Sequence, residues 1–259
     1  MVDLPSGYRV NAHDLIDSTN EEARRLADAG EAGGCIVWAK EQTAGRGRRG
    51  RDWVSKPGNL YVSILLRPDA LLADAAQLSF AAALAVKNSL QRLATNGNGP
   101  PPLALKWPND VLLHGKKLSG ILLEGSGKTQ PSPQGAQTDY LIVGIGINLR
   151  DHPDYTPYPA TNMEAETGYK IDAEKAMKEL VSEFDILYRT WLEDGFQAIR
   201  WLWLGSAFRL GEPIEVQQND KRIKGIMSDL DEDGALRIET EDGKEVIVHA
   251  GDVYFPDIT

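Results

Sequence analysis

The amino-acid sequence predicts a mixed α+β fold with a larger domain, residues 1–206, and a small β domain, residues 207–259. Apolar runs of strand length alternate with segments of helical periodicity up to about residue 204. Beyond residue 211 the sequence changes to short β segments separated by turn-forming pairs. A length of 259 residues suits one medium domain and one small domain.

Composition restricts the class of protein. The formal net charge of −10 disfavours a general nucleic-acid-binding face. The one cysteine, Cys35, excludes an internal disulfide, and its apolar surroundings favour a buried side chain over a nucleophile. The N-terminus has no basic region followed by an apolar one, and no apolar run reaches about 18 residues. We therefore expect a cytoplasmic protein with neither a signal peptide nor a membrane span.

The first helix is predicted to start within residues 17–22. Ser18 with Glu21, or Thr19 with Glu22, fits a capping box, and capping alone would explain these residues. The first turn of a helix also presents free N–H groups and a partial positive charge, which suit a polar ligand. Both interpretations stay open.

An arginine-rich segment at residues 43–53 is the most unusual part of the chain. From Gly45 to Arg51, four arginines and three glycines fill seven positions between two predicted buried strands, residues 35–39 and 60–66. Glycines let backbone amides approach a ligand closely, and guanidinium groups pair with phosphate or carboxylate. We predict a mobile loop that becomes ordered around a polyanion. The alternative is a solvated basic loop or a targeting signal.

Two glycine-rich patterns do not fit the nucleotide motifs that they suggest. Gly45, Gly47 and Gly50 match a dinucleotide fingerprint, but no helix opens at the third glycine. Residues 125–129 suggest a phosphate-binding loop, but the first required glycine falls on Leu122. We predict that these five residues form an exposed hairpin tip.

The middle of the chain predicts a long alanine-rich helix at residues 74–93, followed by a strand that contains Lys106. Because buried lysines are rare unless paired, Lys106 is predicted to face a carboxylate or a phosphate. A turn at His114-Gly115 then returns the chain as residues 116–124, the partner strand of a hairpin.

Residues 140–149 are predicted as a central strand. Gly144 and Gly146 leave room for something pressed against the sheet, and Asn148 offers the donor and acceptor that an adenine edge requires. A glycine pair that only twists the sheet is the alternative.

Two helices and a barrel complete the prediction. The helices cover residues 171–191 and 196–204, and the second helix, which carries Trp201 and Trp203, is expected to pack at the domain boundary. Five β segments follow, at residues 214–217, 222–227, 235–238, 246–248 and 253–255. Their spacing predicts a five-stranded β barrel.

Taken together, these stretches resemble a biotin–protein ligase over nearly the whole chain. The resemblance rests on residues 17–20, Gln42, 45–51, Trp53, 58–61, 106–110, 117–124 and 144–148, in the family's order. It implies a catalytic domain like that of class II aminoacyl-tRNA synthetases, followed by an SH3-like β barrel. The implied activity joins biotin to ATP as biotinyl-5'-AMP and then to a lysine of a biotin carboxyl carrier protein.

The resemblance also implies roles for individual residues. Lys106 and Arg48 would be catalytic and would neutralise the carboxylate and α-phosphate as charge builds there. Biotin would contact Ser18, Thr19, Asn20, Gln42, Gly45, Arg46, Gly47, Arg48, Lys106 and Gly120. ATP would contact Arg48, Arg51, Trp53, Lys106 and Asn148. No protein metal site is implied, and magnesium would be held by the ATP phosphates.

Three rival functions follow from the same residues. A lipoate or octanoate transferase shares the fold but lacks the arginine-rich loop. A biotin sensor or repressor would need a DNA-binding element, and the 16 residues before Asp17 are too few for one, so we expect no DNA binding. A generic nucleotide-binding module would leave Ser18, Thr19, Asn20 and Gln42 unexplained. We further expect no membrane binding and a monomer or weak homodimer.

Overall fold

The computed structural model describes residues 3–94, 99–128, 135–218 and 221–256. Its strands are β1 (Arg9–Ile16), β2 (Cys35–Gln42), β3 (Leu60–Leu66), β4 (Leu103–Lys106), β5 (Asp110–Leu113), β6 (Lys116–Gly127), β7 (Thr138–Ile147), β8 (Pro213–Gln218), β9 (Lys221–Leu230), β10 (Leu236–Glu239), β11 (Glu245–Val248) and β12 (Asp252–Tyr254). Its helices are α1 (Thr19–Asp28), α2 (Leu72–Ala75), α3 (Leu78–Leu93), α4 (Met163–Thr167), α5 (Ala173–Asp194) and α6 (Phe196–Leu204). None of these helices is long and apolar enough to cross a lipid bilayer.

The larger part of the molecule is built on one mixed sheet. Among the described residues this sheet has seven strands in the order β1-β2-β3-β7-β6-β5-β4. The outer pair β1 and β2 is parallel, and the remaining neighbours are antiparallel. β7 lies at the centre, as predicted for residues 140–149. The predicted mixed α+β class is confirmed.

Helices cover both faces of this sheet. On one face α1 buries a small apolar cluster that includes Ala23, Val37 and Cys35. The thiol of Cys35 is buried as predicted, and burial raises its pKa. On the other face α3 packs against β4, β5, β6 and β7, and α5 packs against α3 and β3. α3 is buried along most of its length because its alanines let neighbouring elements approach closely.

A second sheet forms the C-terminal part. In the described chain it has five strands in the order β11-β10-β9-β8-β12, and it belongs to the predicted SH3-like class. It is fixed to the first domain by Trp107, whose indole Nε1 donates to the Gly234 carbonyl oxygen at 3.0 Å. Trp203 is buried against Phe80, as expected at a boundary. Trp201 on the same helix is 65% exposed, so α6 packs through Trp203 and not through Trp201.

Three local predictions need correction. The predicted capping box at the start of α1 is absent, because the Ser18 side chain makes no cap hydrogen bond and Glu21 and Glu22 pair with arginines. The predicted helix over residues 74–93 is divided between α2 and α3. Around Gln77 backbone N–H groups donate to the carbonyl oxygen three residues earlier, as in a 3₁₀ turn, and not four residues earlier. The predicted hairpin tip at residues 125–129 is wrong: residues 125–127 continue β6 beside β7, and Thr129 lies outside the described residues.

The sequence prediction also missed β1 and α4. β1 is mostly exposed and polar, so its sequence lacks the apolar run by which the other strands were predicted. α4 has five residues, too few to show a repeating apolar pattern. Its N-cap is Asn162, whose side chain accepts from Ala165 N at 2.7 Å. Helix α5 begins at Ala173, two residues after the predicted position 171. It is capped in the same way by Asp172, whose side chain accepts from Lys175 N at 2.9 Å.

Candidate active site

A pocket of about 580 Å³ lies between the central strands of the large sheet, the arginine-rich loop, residues 153–160 and the start of β12. The predicted site residues that line it are Ser18, Thr19, Asn20, Gln42, Arg46, Gly47, Arg48, Arg51, Trp53, Lys106, Gly120 and Asn148. The structure thus brings together residues from five separate stretches of sequence.

Gly45 is the predicted site residue that does not line the pocket. It lies within the base of the arginine-rich loop, where its carbonyl oxygen accepts from Trp53 N at 2.9 Å. A Cβ at Gly45 would lie 2.5 Å from both Ser55 Oγ and the Trp53 carbonyl oxygen. Glycine is therefore needed here for close backbone packing that closes the loop.

Carboxylates of the protein hold the arginine-rich loop in place. Arg46 pairs with Glu21 and also with Glu124 Oε1 at 3.2 Å. Arg51 and Arg49 both pair with Asp252 of β12, the latter at 3.1 Å. The anions that these arginines contact are the protein's own side chains, and the ordering of the loop around a polyanion stays a prediction. A polyanionic ligand would have to compete with them.

Arg48 is directed into the pocket rather than toward a carboxylate. Its guanidinium donates to Asn109 Oδ1 at 3.0 Å. Burial lowers the pKa of Arg48, and the Asp252 and Asp110 carboxylates oppose that effect. A guanidinium stays charged far above neutral pH, so a partly desolvated positive charge faces the pocket.

A buried charge cluster lies at the centre of the pocket, on the hairpin that carries Lys106. Lys106 Nζ lies 3.3 Å from Asp110 Oδ2, and Lys117 Nζ lies 2.7 Å from Asp110 Oδ1. This confirms the predicted carboxylate partner of Lys106. Burial lowers the pKa of Lys106, and Asp110 opposes that effect. Burial alone would raise the pKa of Asp110, but Lys117 and Lys106 outweigh it and lower the pKa.

This cluster carries an excess of positive charge, with two ammonium groups for one carboxylate. Lys106 Nζ also lies 4.4 Å from the ring centroid of Tyr158, which offers a weak attraction in place of a second anion. A carboxylate or phosphate that enters the pocket would supply the missing negative charge.

Uncharged polar groups form the other end of the pocket, at the start of α1. Ser18, Thr19 and Asn20 are each at most 5% exposed. Gln42 Oε1 accepts from Thr19 N at 2.8 Å, and Gln42 Nε2 donates to Ser55 Oγ at 2.8 Å. A site lined by neutral donors and acceptors suits an uncharged polar ring more than an ion.

The space beside two glycines of β7 is filled by side chains of the protein itself. A Cβ at Gly144 would lie 2.1 Å from Asn20 Oδ1, and one at Gly146 would lie 2.5 Å from Trp53 Nε1. The predicted object pressed against the sheet is therefore a pair of side chains from α1 and the arginine-rich loop. Gly120 of β6 also leaves room for Trp53, because a Cβ added at this position would lie 3.0 Å from the indole.

Asn148 lines the pocket, but part of its side chain is already bound. Its Nδ2 donates to the Thr161 carbonyl oxygen at 3.0 Å. The predicted contact between Asn148 and adenine stays a prediction.

Sequence reasoning missed three charged residues of the site. Asp110 follows the turn after Lys106, and Lys117 lies at the start of the partner strand, so the charged residues of the predicted hairpin are the signal that indicates them. Asp252 belongs to the C-terminal sheet, and no sequence signal links it to the arginine-rich loop. Within the described residues no group of three histidine, cysteine or carboxylate side chains could hold a metal ion.

Comparison with known proteins adds three kinds of similarity. The sequence matches the biotin/lipoate A/B protein ligase family over residues 13–148 and the biotin protein ligase C-terminal domain over residues 210–255. A biotin–[acetyl-CoA-carboxylase] ligase of Paracoccus denitrificans is 43% identical over 245 residues, which cover 92% of this chain and 97% of the relative.

Solved structures show the same fold. A biotin protein ligase from Aquifex aeolicus, in complex with biotin and ATP, matches with a TM-score of 0.79 and 31% identity, covering 95% of this chain and 98% of that one. A Leishmania major biotin protein ligase in complex with biotinyl-5-AMP matches with a TM-score of 0.62 and 26% identity over 93% of this chain and 99% of that one.

Proposed function

Because the chain belongs to the biotin/lipoate A/B protein ligase family, we propose that its pocket carries out an ATP-dependent biotin ligation in two steps. A biotin carboxylate oxygen first attacks the α-phosphorus of ATP, which forms biotinyl-5'-AMP and releases pyrophosphate. A neutral lysine amine of a carrier protein then attacks the acyl carbon, forms an amide, releases AMP and loses a proton. The protein is an ATP-dependent ligase that uses biotin and ATP as substrates.

One observation carries the assignment: a neutral polar end and a cationic centre share one pocket. The ureido ring of biotin is uncharged and offers both N–H and C=O groups, so it suits the end formed by Ser18, Thr19 and Asn20. The valerate carboxylate of biotin would then extend toward Lys106 and Arg48. These two cations stabilise the charge that develops as the carboxylate meets the α-phosphate.

The nucleotide would occupy the part of the pocket next to the arginine-rich loop. Trp53 offers an indole beside the central strands, and Arg51 can pair with phosphate if it leaves Asp252. Asn148 would meet the adenine. Two of the three carboxylates that line the pocket, Asp110 and Asp252, are already paired with cations, which fits magnesium carried by the ATP phosphates rather than by a protein site.

The acceptor and setting of the reaction are part of the proposal. Biotin ligases act on biotin carboxyl carrier proteins of carboxylases, and we infer that this chain modifies such a carrier in the cytoplasm. The net charge of −10 disfavours DNA as a partner. We also propose a monomer or weak homodimer, and domains that divide near residue 206.

A substrate comparison tests the proposed function. Purified protein with ATP and magnesium should release pyrophosphate when biotin is added and should label a biotin carrier domain. The same assay with lipoate should give no release above background. Release with lipoate alone would assign the protein to the lipoate ligases, and tight biotin binding without pyrophosphate would leave a sensor.

Gly146→Ala should separate nucleotide binding from biotin binding. Its methyl group would lie 2.5 Å from the Trp53 indole and would push that ring off the sheet. We expect KM for ATP to rise at least about fivefold, because base–aromatic stacking contributes about 1–3 kcal/mol. The Kd for biotin should change less than about threefold.

Gly205→Ala is the matched control for this change. Gly205 lies outside the pocket with φ −63°, and a Cβ there would be no closer than 3.5 Å to its neighbours. An unchanged KM for ATP in Gly146→Ala would show that Trp53 does not contact the nucleotide.

A further inference from the structure

A buried chain of hydrogen bonds runs behind the neutral end of the pocket. Glu124 Oε2 lies 2.7 Å from Asn20 Nδ2, and Asn20 Oδ1 lies 2.6 Å from Ser63 Oγ. Ser63 Oγ is in turn 2.8 Å from Thr19 Oγ1. Ser63 is fully buried in β3 and does not line the pocket, so it would act on a ligand through Thr19 and Asn20.

The first link fixes the orientation of the Asn20 amide. Glu124 also pairs with Arg46, and a carboxylate can only accept hydrogen bonds. The Asn20 group that faces Glu124 must therefore be the NH2 group. The Asn20 carbonyl oxygen then faces Ser63, and it has no hydrogen to offer.

The remaining protons follow by counting. Two oxygens 2.6 Å apart need one hydrogen between them, so Ser63 must donate to Asn20. A hydroxyl has one proton, so Ser63 has none left for Thr19. The 2.8 Å separation between Ser63 and Thr19 therefore takes the proton of Thr19. Thr19 donates inward to Ser63.

The hydrogen bonds of Gln42 are consistent with donation from the Thr19 hydroxyl to Ser63. Its Oε1 accepts the backbone N–H of Thr19 at 2.8 Å, while the Thr19 hydroxyl lies farther away, at 3.1 Å. The Nε2 end of Gln42 donates to Ser55 Oγ. Gln42 therefore has a satisfied acceptor without the Thr19 proton.

We propose that Glu124 and Ser63 are positioning residues that make Thr19 Oγ1 a fixed acceptor toward the pocket. Only its lone pairs are then offered to a ligand, and they would accept one N–H of the biotin ureido ring. A dithiolane ring has no N–H to give, so the same arrangement favours a cyclic urea over a lipoyl group. This inference rests on the proposed function and names the ring chemistry of its substrate.

A double-mutant cycle on biotin binding tests this role. Ser63→Ala should raise the Kd for biotin about 5- to 20-fold, because the Thr19 hydroxyl is then free to rotate. In a Thr19→Val background, which lacks that hydroxyl, Ser63→Ala should change the Kd less than about twofold. KM for ATP should stay within about twofold in the Ser63 variant.

Two further variants complete this test: one is a control for the loss of a buried hydroxyl, and the other releases the Asn20 amide. Ser89→Ala removes another buried hydroxyl, one that donates to the Val86 carbonyl oxygen outside the pocket, and should leave the Kd for biotin unchanged. Glu124 is half-exposed, and its replacement by glutamine would allow the Asn20 amide to flip. It should weaken biotin binding, and that loss should also shrink in the Thr19→Val background.

The outcomes separate this inference from the proposed function. An equal loss for Ser63→Ala in both backgrounds, or an equal rise in KM for ATP, would show that Ser63 acts by packing and would overturn the inference. Failure of the wild-type protein to bind biotin would overturn the proposed function, and the inference with it.

Discussion

Replacing Lys106 with alanine should slow biotin-dependent pyrophosphate release about 100- to 1000-fold, the usual cost of removing one preorganised group that stabilises developing charge. Lys106 is buried, with its ammonium 3.3 Å from Asp110, and it lines the same pocket as Arg48. In this dry position its charge is poorly screened by water, so it should act strongly on the carboxylate and the α-phosphate.

The fold should survive this change. Asp110 keeps Lys117 as a partner at 2.7 Å, so no carboxylate is left buried without a cation. The expected signature is a large fall in kcat with a smaller change in the Kd for biotin, because the proposed site for biotin's ureido ring is formed by Ser18, Thr19 and Asn20 and not by Lys106. Single-turnover pyrophosphate release and calorimetric titration with biotin would measure the two quantities.

Lys87→Ala is the control for a desolvated lysine outside the site. Burial lowers the pKa of Lys87 on α3, as it does for Lys106, but Lys87 does not line the pocket. Its replacement should leave pyrophosphate release within about twofold of wild type. A Lys106→Ala enzyme that kept more than about a third of wild-type activity would show that adenylation does not depend on this ammonium.

The sequence allowed the cationic centre of this site to be predicted because its residues contradict their surroundings. Lys106 interrupts an apolar strand, and Arg48 stands in a glycine-rich loop of an acidic chain. Neither choice helps folding, so a ligand is the better explanation. The apolar pattern of the sequence also predicted the bounds of β3 and α6 to the residue, because both patterns are strong and have clear ends.

The remaining parts of the site depend on contacts between distant segments. Asp252 follows Arg49 by 203 residues, and only the folded chain brings the two together. Gly144 and Gly146 were correctly predicted to make room, but the sequence does not say that Asn20 and Trp53 fill it. Such pairings are decided by tertiary structure and leave no local pattern to read.

Gly144→Ala should raise the Kd for biotin at least about thirtyfold. The new methyl group would lie 2.1 Å from Asn20 Oδ1, far inside van der Waals contact. Asn20 is 5% exposed and bound to Ser63 and Glu124, so it can make room only by breaking both hydrogen bonds. At about 0.5–1.5 kcal/mol for the bond to Ser63 and about 1.5–3 kcal/mol for the bond to the charged Glu124, a loss of this size follows.

The companion variants make this expectation specific to one end of the pocket. Gly146→Ala lies two residues along the same strand but displaces Trp53, so it should affect ATP and spare biotin. Gly144→Ala should show the reverse pattern, and Gly205→Ala should change neither constant. If Gly144→Ala and Gly146→Ala weakened both ligands alike, the two glycines would be acting on the sheet as a whole. The division of the pocket between α1 for biotin and Trp53 for the nucleotide would then be wrong.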